Sequence, residues 1–283
     1  MLPRRDAEPW PAAARAPCDR HLGAGLNVLC SRVLFCESGQ VFSLKGRRAL
    51  VTGGGSGIGK AMAAALAEAG AQVVLAGRSE QRLLEAAEAT GASAWIATDL
   101  SAEPGCTAVC DKAPDIDILV NAAALNLRPP LEELRLEDWD RTIATNLTAP
   151  FVLGQRLGPE MAQRGWGRII NIGSQQSWRA FGNSGAYGAS KAGMLGLTRS
   201  QAEAWSPSGV TANCIIPGFV RTPMTESVFS KDPLLAQQLA ARTMVWRNGT
   251  VADFRGIAVF LASEAASFIT GQAIAVDGGF SAT

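Results

Sequence analysis

The stretch RALVTGGGSGIGKAMAAALAEAG, residues 48–70, decides the fold of this chain. Its first part, residues 48–53, is a short apolar run typical of a buried strand. Its last part is rich in alanine, carries Met62 and Leu66 on one stripe and stops at Gly70, which predicts a helix with a glycine C-cap. Strand, glycine-rich turn and helix in this order predict the first unit of a parallel α/β sheet.

The glycines of this turn have the spacing of a phosphate-binding loop. Gly53, Gly57 and Gly59 follow the pattern Thr-Gly-x-x-x-Gly-x-Gly that begins at Thr52. Residues without side chains let the backbone approach a pyrophosphate, which the first N–H groups of the helix stabilise. A merely flexible loop is the alternative, but the flanking strand and helix favour dinucleotide binding. The predicted contacts in this turn are Thr52, Gly53, Gly55, Ser56, Gly57, Ile58 and Gly59.

The end of the second predicted strand, residues 72–76, indicates which dinucleotide binds. An acidic residue there would hold both ribose hydroxyls of NAD, whereas this chain has Gly77 followed by Arg78. Because a guanidinium pairs well with a 2′-phosphate, we expect NADP(H) to be preferred over NAD(H). A solvated loop arginine is the alternative. After the third strand, Asp99 is predicted to accept from the adenine amino group, with Leu100 beside it against the cofactor.

The rest of the chain repeats the alternation of strand and helix, at intervals of roughly 20 to 30 residues. The apolar runs 93–99 and 116–121 each lead into helical sequence. This pattern predicts an α/β fold with a single Rossmann-type, doubly wound parallel sheet of about seven strands, right-handed crossovers and helices on both faces. We assign this domain to residues 41–283.

A second stretch, residues 174–191, brings together a hydroxyl, a phenol and an ammonium. Ser174 follows the predicted strand 168–173, while Tyr187 and Lys191 are four residues apart on one face of a predicted helix. A positive charge at about 4 Å, with an effective dielectric of about 20, is worth roughly 4 kcal/mol, or about three pKa units. We therefore predict that Lys191 lowers the pKa of Tyr187, which exchanges a proton with an alcohol oxygen held by Ser174. An ordinary half-buried tyrosine is the alternative, although Tyr187 is the one tyrosine of the chain.

Together these motifs resemble the classical short-chain dehydrogenase/reductase family over residues 41–283. The resemblance implies that Ser174, Tyr187 and Lys191 are catalytic, that Lys191 also binds the ribose, and that Asn146 is the fourth catalytic residue and sustains a water relay. Residues 276–279 are similar to the closing strand of the family. The further cofactor contacts that the resemblance implies are Asn121, Ala122, Ala123, Tyr187, Lys191, Pro217, Gly218, Val220 and Thr222.

Two features near these motifs qualify the resemblance. Residues 121–124 are Asn-Ala-Ala-Ala where the family usually has Asn-Asn-Ala-Gly, so we expect a looser adenosine side without the second amide and the glycine. The predicted helix 138–164 contains Pro150, which has no N–H to give to the carbonyl of Asn146. Since the family uses this asparagine to hold the relay water, Pro150 either keeps that carbonyl free for the water or only kinks the helix.

Composition argues against several other classes. With 26 basic and 25 acidic residues the net charge is +1, which gives no general attraction to nucleic acid or to an anionic membrane. Six cysteines without Cys-x-x-Cys spacing and the single His21 support neither a metal site nor a disulfide framework, so we expect a cytoplasmic protein. No apolar run reaches the ~18 to 20 residues of a membrane span. Residues 1–40 are expected to be a flexible extension without a catalytic part.

Polar residues close to the predicted strand ends favour a hydroxylated substrate over a steroid or a fatty chain. The loop 126–130 is similar to that of gluconate 5-dehydrogenase-like members of the family, which act on sugar acids and related polyols. Arg128 is predicted to bind a carboxylate, with a solvated arginine as the alternative, and Gln176 and Asn183 complete the predicted substrate set. Residues 219–250 are predicted to form a mobile lid.

The predicted activity is reversible hydride transfer between NAD(P) and a secondary alcohol or ketone of a sugar-acid or polyol-like substrate. A 3-oxoacyl carrier-protein reductase is one alternative, and it would need a basic surface for the phosphopantetheine arm. A nucleotide-sensing protein without catalysis is another, although four catalytic residues argue against it. By analogy with the family we expect a homotetramer.

Overall fold

Seven strands and nine α-helices form the part of the chain that the structure, a computed structural model, describes: residues 41–282. The prediction for residues 1–40 lies outside this part. The strands are β1 (Arg48–Thr52), β2 (Gln72–Gly77), β3 (Ala94–Ala97), β4 (Ile118–Asn121), β5 (Gly167–Ile172), β6 (Val210–Pro217) and β7 (Ala273–Val276). The helices are α1 (Gly57–Glu68), α2 (Glu80–Thr90), α3 (Glu103–Lys112), α4 (Leu136–Ile143), α5 (Ala149–Gln163), α6 (Gly185–Trp205), α7 (Glu226–Lys231), α8 (Pro233–Ala241) and α9 (Arg255–Ala262).

All seven strands are parallel and lie in one sheet in the order β3-β2-β1-β4-β5-β6-β7. The order reverses between β1 and β4, where Thr52 pairs with Asn121 at the carboxyl ends of both strands. Ligands of open parallel sheets bind outside the carboxyl ends of the strands at such a reversal. The predicted fold class is confirmed. We therefore expect the functional site at the carboxyl ends of β1 and β4.

Two apolar layers cover the two faces of the sheet. Alternate residues of β1 face opposite layers: Ala49 and Val51 pack with side chains of α1 and α9, and Leu50 packs with side chains of α3 and α5. Because the central strands are covered on both faces, β1, β2 and β4 are mostly apolar along their length rather than alternating. Each fully buried aliphatic side chain contributes about 1.5–3 kcal/mol, so the sheet is a rigid base for the loops at its carboxyl edge.

The helical segment predicted over residues 138–164 is interrupted. Helix α4 passes through a π-helical turn, Ala144–Thr148, into α5, and the N–H of Ala149 donates to the carbonyl of Ala144 five residues back. Pro150 comes next and has no N–H to continue the ordinary ladder. The π-helical turn accommodates the missing hydrogen bond at Pro150. Asn146 lies within this turn.

Two differences from the sequence predictions concern β6 and β7. Strand β6 is fully buried although it contains Thr211 and Asn213, because the Asn213 amide pairs with the chain before β7. Strand β7 ends at Val276, and the rest of the predicted closing strand is a turn because Gly278 and Gly279 adopt φ values of 64° and 82°. Among the described helices, none has the length and apolar character needed to cross a bilayer.

Candidate active site

Ser174 lies directly beyond β5 and is fixed by a capping box. Its hydroxyl accepts from the N–H of Gln176 at 3.2 Å, and its own N–H donates to the Ser177 hydroxyl at 3.2 Å. The Ser177 hydroxyl in turn donates to the carbonyl of Lys191 at 2.7 Å. The loop after β5 is therefore tied to α6, the helix that carries the two other reactive groups.

Tyr187 and Lys191 lie on the buried side of the first turns of α6. The phenol of Tyr187 lies close enough to the Ser174 side chain for that hydroxyl to lower the tyrosine pKa. The Lys191 Nζ donates to the carbonyl of Ile172 at 2.7 Å and lies 5.7 Å from the centroid of the Tyr187 ring. Hydroxyl, phenol and ammonium are thus brought to one point at the carboxyl end of β5.

Burial dominates the ionisation of both groups. It raises the pKa of Tyr187, while the hydrogen bond with Ser174 and the charge of Arg128 lower it. Burial also lowers the pKa of Lys191 to about 8. In the structure the Lys191 ammonium donates to the Ile172 carbonyl, and the charge of Arg128, which the sequence analysis did not connect with Tyr187, lowers the tyrosine pKa.

Asn146, within the π-helical turn, is completely buried and uses its whole side-chain amide. Its Oδ1 accepts from the N–H of Leu125 at 2.7 Å, and its Nδ2 donates to the Leu125 carbonyl at 2.9 Å and to the Ser190 hydroxyl at 3.0 Å. Ser190 donates in turn to the carbonyl of Tyr187 at 2.8 Å. The side chain of Asn146 therefore joins the loop after β4 to the helix of Tyr187.

A cleft runs along the carboxyl edge of the sheet as two adjoining cavities. The first, of about 210 Å³, contains the reactive groups and most of the predicted cofactor residues: Gly53, Ser56, Gly57, Ile58, Gly59, Ala122, Ala123, Ser174, Tyr187, Lys191, Pro217, Gly218, Val220 and Thr222. The second, of about 170 Å³, lies at the end of β2 and is lined among others by Gly53, Gly55, Arg78, Asp99, Leu100 and Ala123. The N–H of Ser101 holds the pKa of Asp99 below its ordinary value, with a smaller contribution from the charge of Arg78.

Two predicted cofactor residues, Thr52 and Asn121, lie beneath the cleft and line neither cavity. The Thr52 hydroxyl accepts from the N–H groups of Ala122 and Ala123 at 3.1 and 3.2 Å, so it shapes the floor from below. Asn121 is buried and donates to Asn171 at 2.8 Å. None of residues 122–124 has a positive φ, and the backbone therefore does not require the glycine that the family has in this loop.

The glycine turn fits a bound dinucleotide. A Cβ on Gly53, which has a φ of 66°, would lie 2.8 Å from the backbone of Ala123, and one on Gly59 would lie 2.5 Å from the Gly53 carbonyl. At these two positions the backbone is packed too closely for any residue other than glycine. The first residues of α1 line the first cavity. This is the arrangement that a pyrophosphate requires.

The predicted substrate residues lie on two loops beside the catalytic pair and do not line the first cavity. Arg128 donates to the carbonyl of Gly182 and packs over the Phe181 ring at 5.2 Å. Asn183, at a φ of 55°, donates to the Arg128 carbonyl at 3.5 Å. The Gln176 Oε1 is buried without a hydrogen-bond partner among the described residues. Arg128 and Asn183 thus join the two loops, and Gln176 has a free acceptor.

Several residues at the cleft escaped the sequence analysis. Pro223, Met224 and Thr225, at the start of the predicted lid, line the first cavity. Arg82 lines the second. Its position four residues after Arg78 was the available signal, because a helix that begins near residue 80 carries residue 82 in its first turn.

Comparisons with known proteins agree with this geometry. A family model described as Enoyl-(Acyl carrier protein) reductase matches residues 53–281. The gluconate 5-dehydrogenase of Gluconobacter oxydans is 42% identical over 247 residues, which cover 84% of this chain and 96% of that protein. A putative NAD(P)-dependent gluconate 5-dehydrogenase from Beutenbergia cavernae, solved with NADP, has a TM-score of 0.81 and 41% identity over 86% of this chain and 100% of that one. A gluconate 5-dehydrogenase from Burkholderia cenocepacia, solved with NADP and tartrate, has a TM-score of 0.81 and 35% identity over 87% of this chain and 99% of that one.

Proposed function

The chain belongs to the short-chain dehydrogenase/reductase family of oxidoreductases, and from that premise we propose that it interconverts a secondary alcohol and a ketone of a sugar acid, with NADP(H) as hydride carrier. The observation that carries the proposal is that Ser174, Tyr187 and Lys191 line the same cavity as the glycine turn. We assign this function to residues 41–283, within which the family match lies.

The catalytic roles follow from the contacts. Bound NADP(H) would supply or accept the hydride. Ser174 holds the substrate oxygen by a hydrogen bond, and Tyr187 gives or takes the proton on that oxygen. Lys191, on the same helix, is close enough to the first cavity to bind a ribose hydroxyl and to favour the phenolate once its ammonium turns from the Ile172 carbonyl. Asn146 holds the surrounding loop and helix in register and sustains the proton relay to solvent.

The substrate proposal is supported by Arg128. Its guanidinium is close enough to the catalytic phenol for its charge to lower the pKa of Tyr187, so a carboxylate bound to Arg128 would lie near the reacting oxygen. Gln176 and Asn183 offer further polar contacts on the same two loops. The relative from Gluconobacter oxydans is a gluconate 5-dehydrogenase, and the Burkholderia structure holds tartrate, a hydroxy acid. An acid with several hydroxyls fits these groups.

The preference for NADP(H) is supported by the second cavity. Gly77 stands where an acidic residue would hold the ribose of NAD, and Arg78 lines the cavity next to it. The neighbours from Beutenbergia and Burkholderia hold NADP. A comparison of kcat/KM for NADP and NAD tests this part, and a higher value for NAD would refute it.

Turnover of sugar acids tests the main proposal. We expect the purified chain to reduce NADP in the presence of gluconate or a related acid, and Tyr187→Phe to lose at least about 100-fold in kcat while binding NADP normally, because general acid–base catalysis contributes about 10²–10⁴-fold. Arg128→Gln should raise KM at least about 10-fold for acids but not for an uncharged polyol such as threitol. Absence of turnover with every acid, or equal losses with acid and polyol in Arg128→Gln, would contradict the substrate assignment.

Reduction of a 3-oxoacyl thioester on a carrier protein is the second candidate. A 3-oxoacyl-[acyl-carrier-protein] reductase of Aquifex aeolicus, 34% identical over 247 residues, supports this candidate. Reduction of acetoacetyl thioesters with higher kcat/KM than any sugar acid would decide for it. A protein that binds NADPH without oxidising it against either class would be a nucleotide sensor.

We also propose a homotetramer in the cytoplasm. Helices α4 and α5 expose the apolar side chains of Leu136, Trp139 and Phe151, which association with a second copy would cover. The described cysteines, Cys106, Cys110 and Cys214, are free thiols, as expected in a reducing compartment.

A further inference from the structure

The second cavity, at the carboxyl end of β2, has more positive than negative charge. Arg78 and Arg82 both line it, and Asp99 is the one acidic residue among the described residues that do so. No ion pair among residues 41–282 includes either arginine. Glu80, the acidic neighbour at the start of α2, is not part of the lining. Two guanidiniums without a close ion pair therefore share a small cavity with a single carboxylate.

The backbone of Arg82 is held in place by two contacts. Its N–H donates to the hydroxyl of Ser79, the N-cap of α2, at 3.4 Å. Its Cβ lies 3.4 Å from the position that a Cβ on Gly55 would take, so the first turn of α2 packs directly on the glycine turn. The backbone of Arg82 is thus fixed beside the glycine turn, while its side chain remains exposed.

We propose that Arg82 is a second ligand of the 2′-phosphate of NADP(H) and that it, together with Arg78, determines the choice between the two dinucleotides. The inference rests on the proposed function, because it takes the nucleotide to lie with its pyrophosphate at the glycine turn and its adenosine in the second cavity. The end of β2 is then where the 2′ position of the adenosine ribose lies.

Two arginines suit a phosphate monoester better than one. The group carries close to two negative charges and three acceptor oxygens, whereas one guanidinium neutralises one charge and bonds two oxygens side by side. Arg78 directly follows the end of β2 and Arg82 lies in the first turn of α2, and both line the cavity that would hold the group. With NAD, which has hydroxyls at this position, both guanidiniums would remain hydrated and contribute little.

The expected size of the effect is that of one charge-assisted hydrogen-bonding partner. Such partners contribute about 1.5–3 kcal/mol, which corresponds to roughly 10- to 150-fold in Kd. We expect Arg82→Gln to reduce the preference for a 2′-phosphorylated nucleotide by at least about 10-fold. Arg82→Lys keeps the charge without the planar fork and should give an intermediate loss.

The test measures binding by calorimetry and needs no turnover. The probes are adenosine 2′,5′-bisphosphate and 5′-AMP, which differ only in the 2′-phosphate, and the readout is the ratio of their Kd values. Wild type, Arg82→Gln and Arg82→Lys are compared with Arg156→Gln, which removes the same charge from a surface arginine of α5 that pairs with Asp111. The ratio should fall in the order wild type, Lys, Gln, and Arg156→Gln should match wild type.

The failures are distinguishable. If wild type prefers the bisphosphate and Arg82→Gln keeps the full preference, the 2′-phosphate is held without Arg82; the inference is then overturned and the NADP preference stands. If wild type binds both nucleotides equally, the NADP preference itself fails and takes the inference with it. If Arg156→Gln loses as much as Arg82→Gln, the effect is general electrostatics, which also overturns the inference.

Discussion

Lys191 illustrates at the scale of a residue how a buried charge lowers the free energy of unfolding. Its ammonium is buried, and the one partner that the structure gives Nζ is a backbone carbonyl. Its pKa of about 8 lies below the ordinary value of 10.5, so the unfolded chain binds the proton more tightly than the folded one. The protonated Lys191 therefore lowers the free energy of unfolding. This loss is fully present below about pH 8 and disappears as the pH rises through 10.5.

This sign predicts the pH dependence of a variant. Relative to Lys191→Met, the wild-type free energy of unfolding should rise by about 2 kcal/mol between about pH 7 and about pH 10, because the buried charge is given up on the way. Urea unfolding at both pH values measures it, and Lys231→Met, which removes an exposed lysine of α7, is the control. A difference that does not change with pH for Lys191→Met would contradict the prediction.

Single residues also show what sequence can and cannot predict. The convergence of Ser174, Tyr187 and Lys191 on one cavity was predictable from local spacing, because one helix and one strand end fix their positions. That the charge of Arg128 lowers the tyrosine pKa was not predictable, since it depends on the meeting of two loops that are distant in sequence. The acceptor of the Lys191 ammonium was not predictable either, because it is a backbone carbonyl and every residue has one.

At the scale of elements, the junction of the glycine turn with α1 has no room for a side chain. Gly59→Ala would place a Cβ 2.5 Å from the Gly53 carbonyl, and backbone must move. We expect at least about a 10-fold rise in the Kd for NADP, because the N–H groups that face the pyrophosphate shift with the helix. Fluorescence titration with NADPH measures it.

Gly196→Ala is the matched control for this substitution. It lies within α6, and a Cβ there would meet nothing within 4 Å. Alanine should therefore stabilise that helix by about 0.5–1 kcal/mol and leave nucleotide binding unchanged. Equal effects of the two substitutions on NADPH binding would show that the close packing at Gly59 is irrelevant.

Elements with a strong local pattern were predicted, and elements set by tertiary contacts were not. Helix α1 follows from its alanine-rich stripe and from Gly70, which adopts a φ of 102° beyond its end. The π-helical turn is related to the missing N–H of Pro150. From the sequence alone, that missing N–H was equally compatible with a simple kink of the helix. Strand β6 escapes pattern analysis because its buried Asn213 is paired with a loop more than fifty residues away.

For the whole molecule, the apolar surface of α4 and α5 predicts the state of association. Phe151 is 46% exposed and Leu136 is 73% exposed, and several exposed apolar side chains on these two successive helices indicate an interaction surface. We expect wild type to have the mass of four chains in light scattering and Phe151→Glu to dissociate, because a buried unpaired carboxylate is costly. Leu234→Glu, on α8, is the control, and a monomeric wild type would refute the tetramer.

The order of the strands has a consequence for synthesis on the ribosome. The first three strands form one half of the sheet in the sequence β3-β2-β1, with one side of β1 still bare. Strand β4 then joins β1, and each later strand adds to the edge left by the one before it. No strand has to be inserted between two that are already paired, so the nascent chain can extend its sheet in the order of translation and exposes one unsatisfied growing edge on that side at a time.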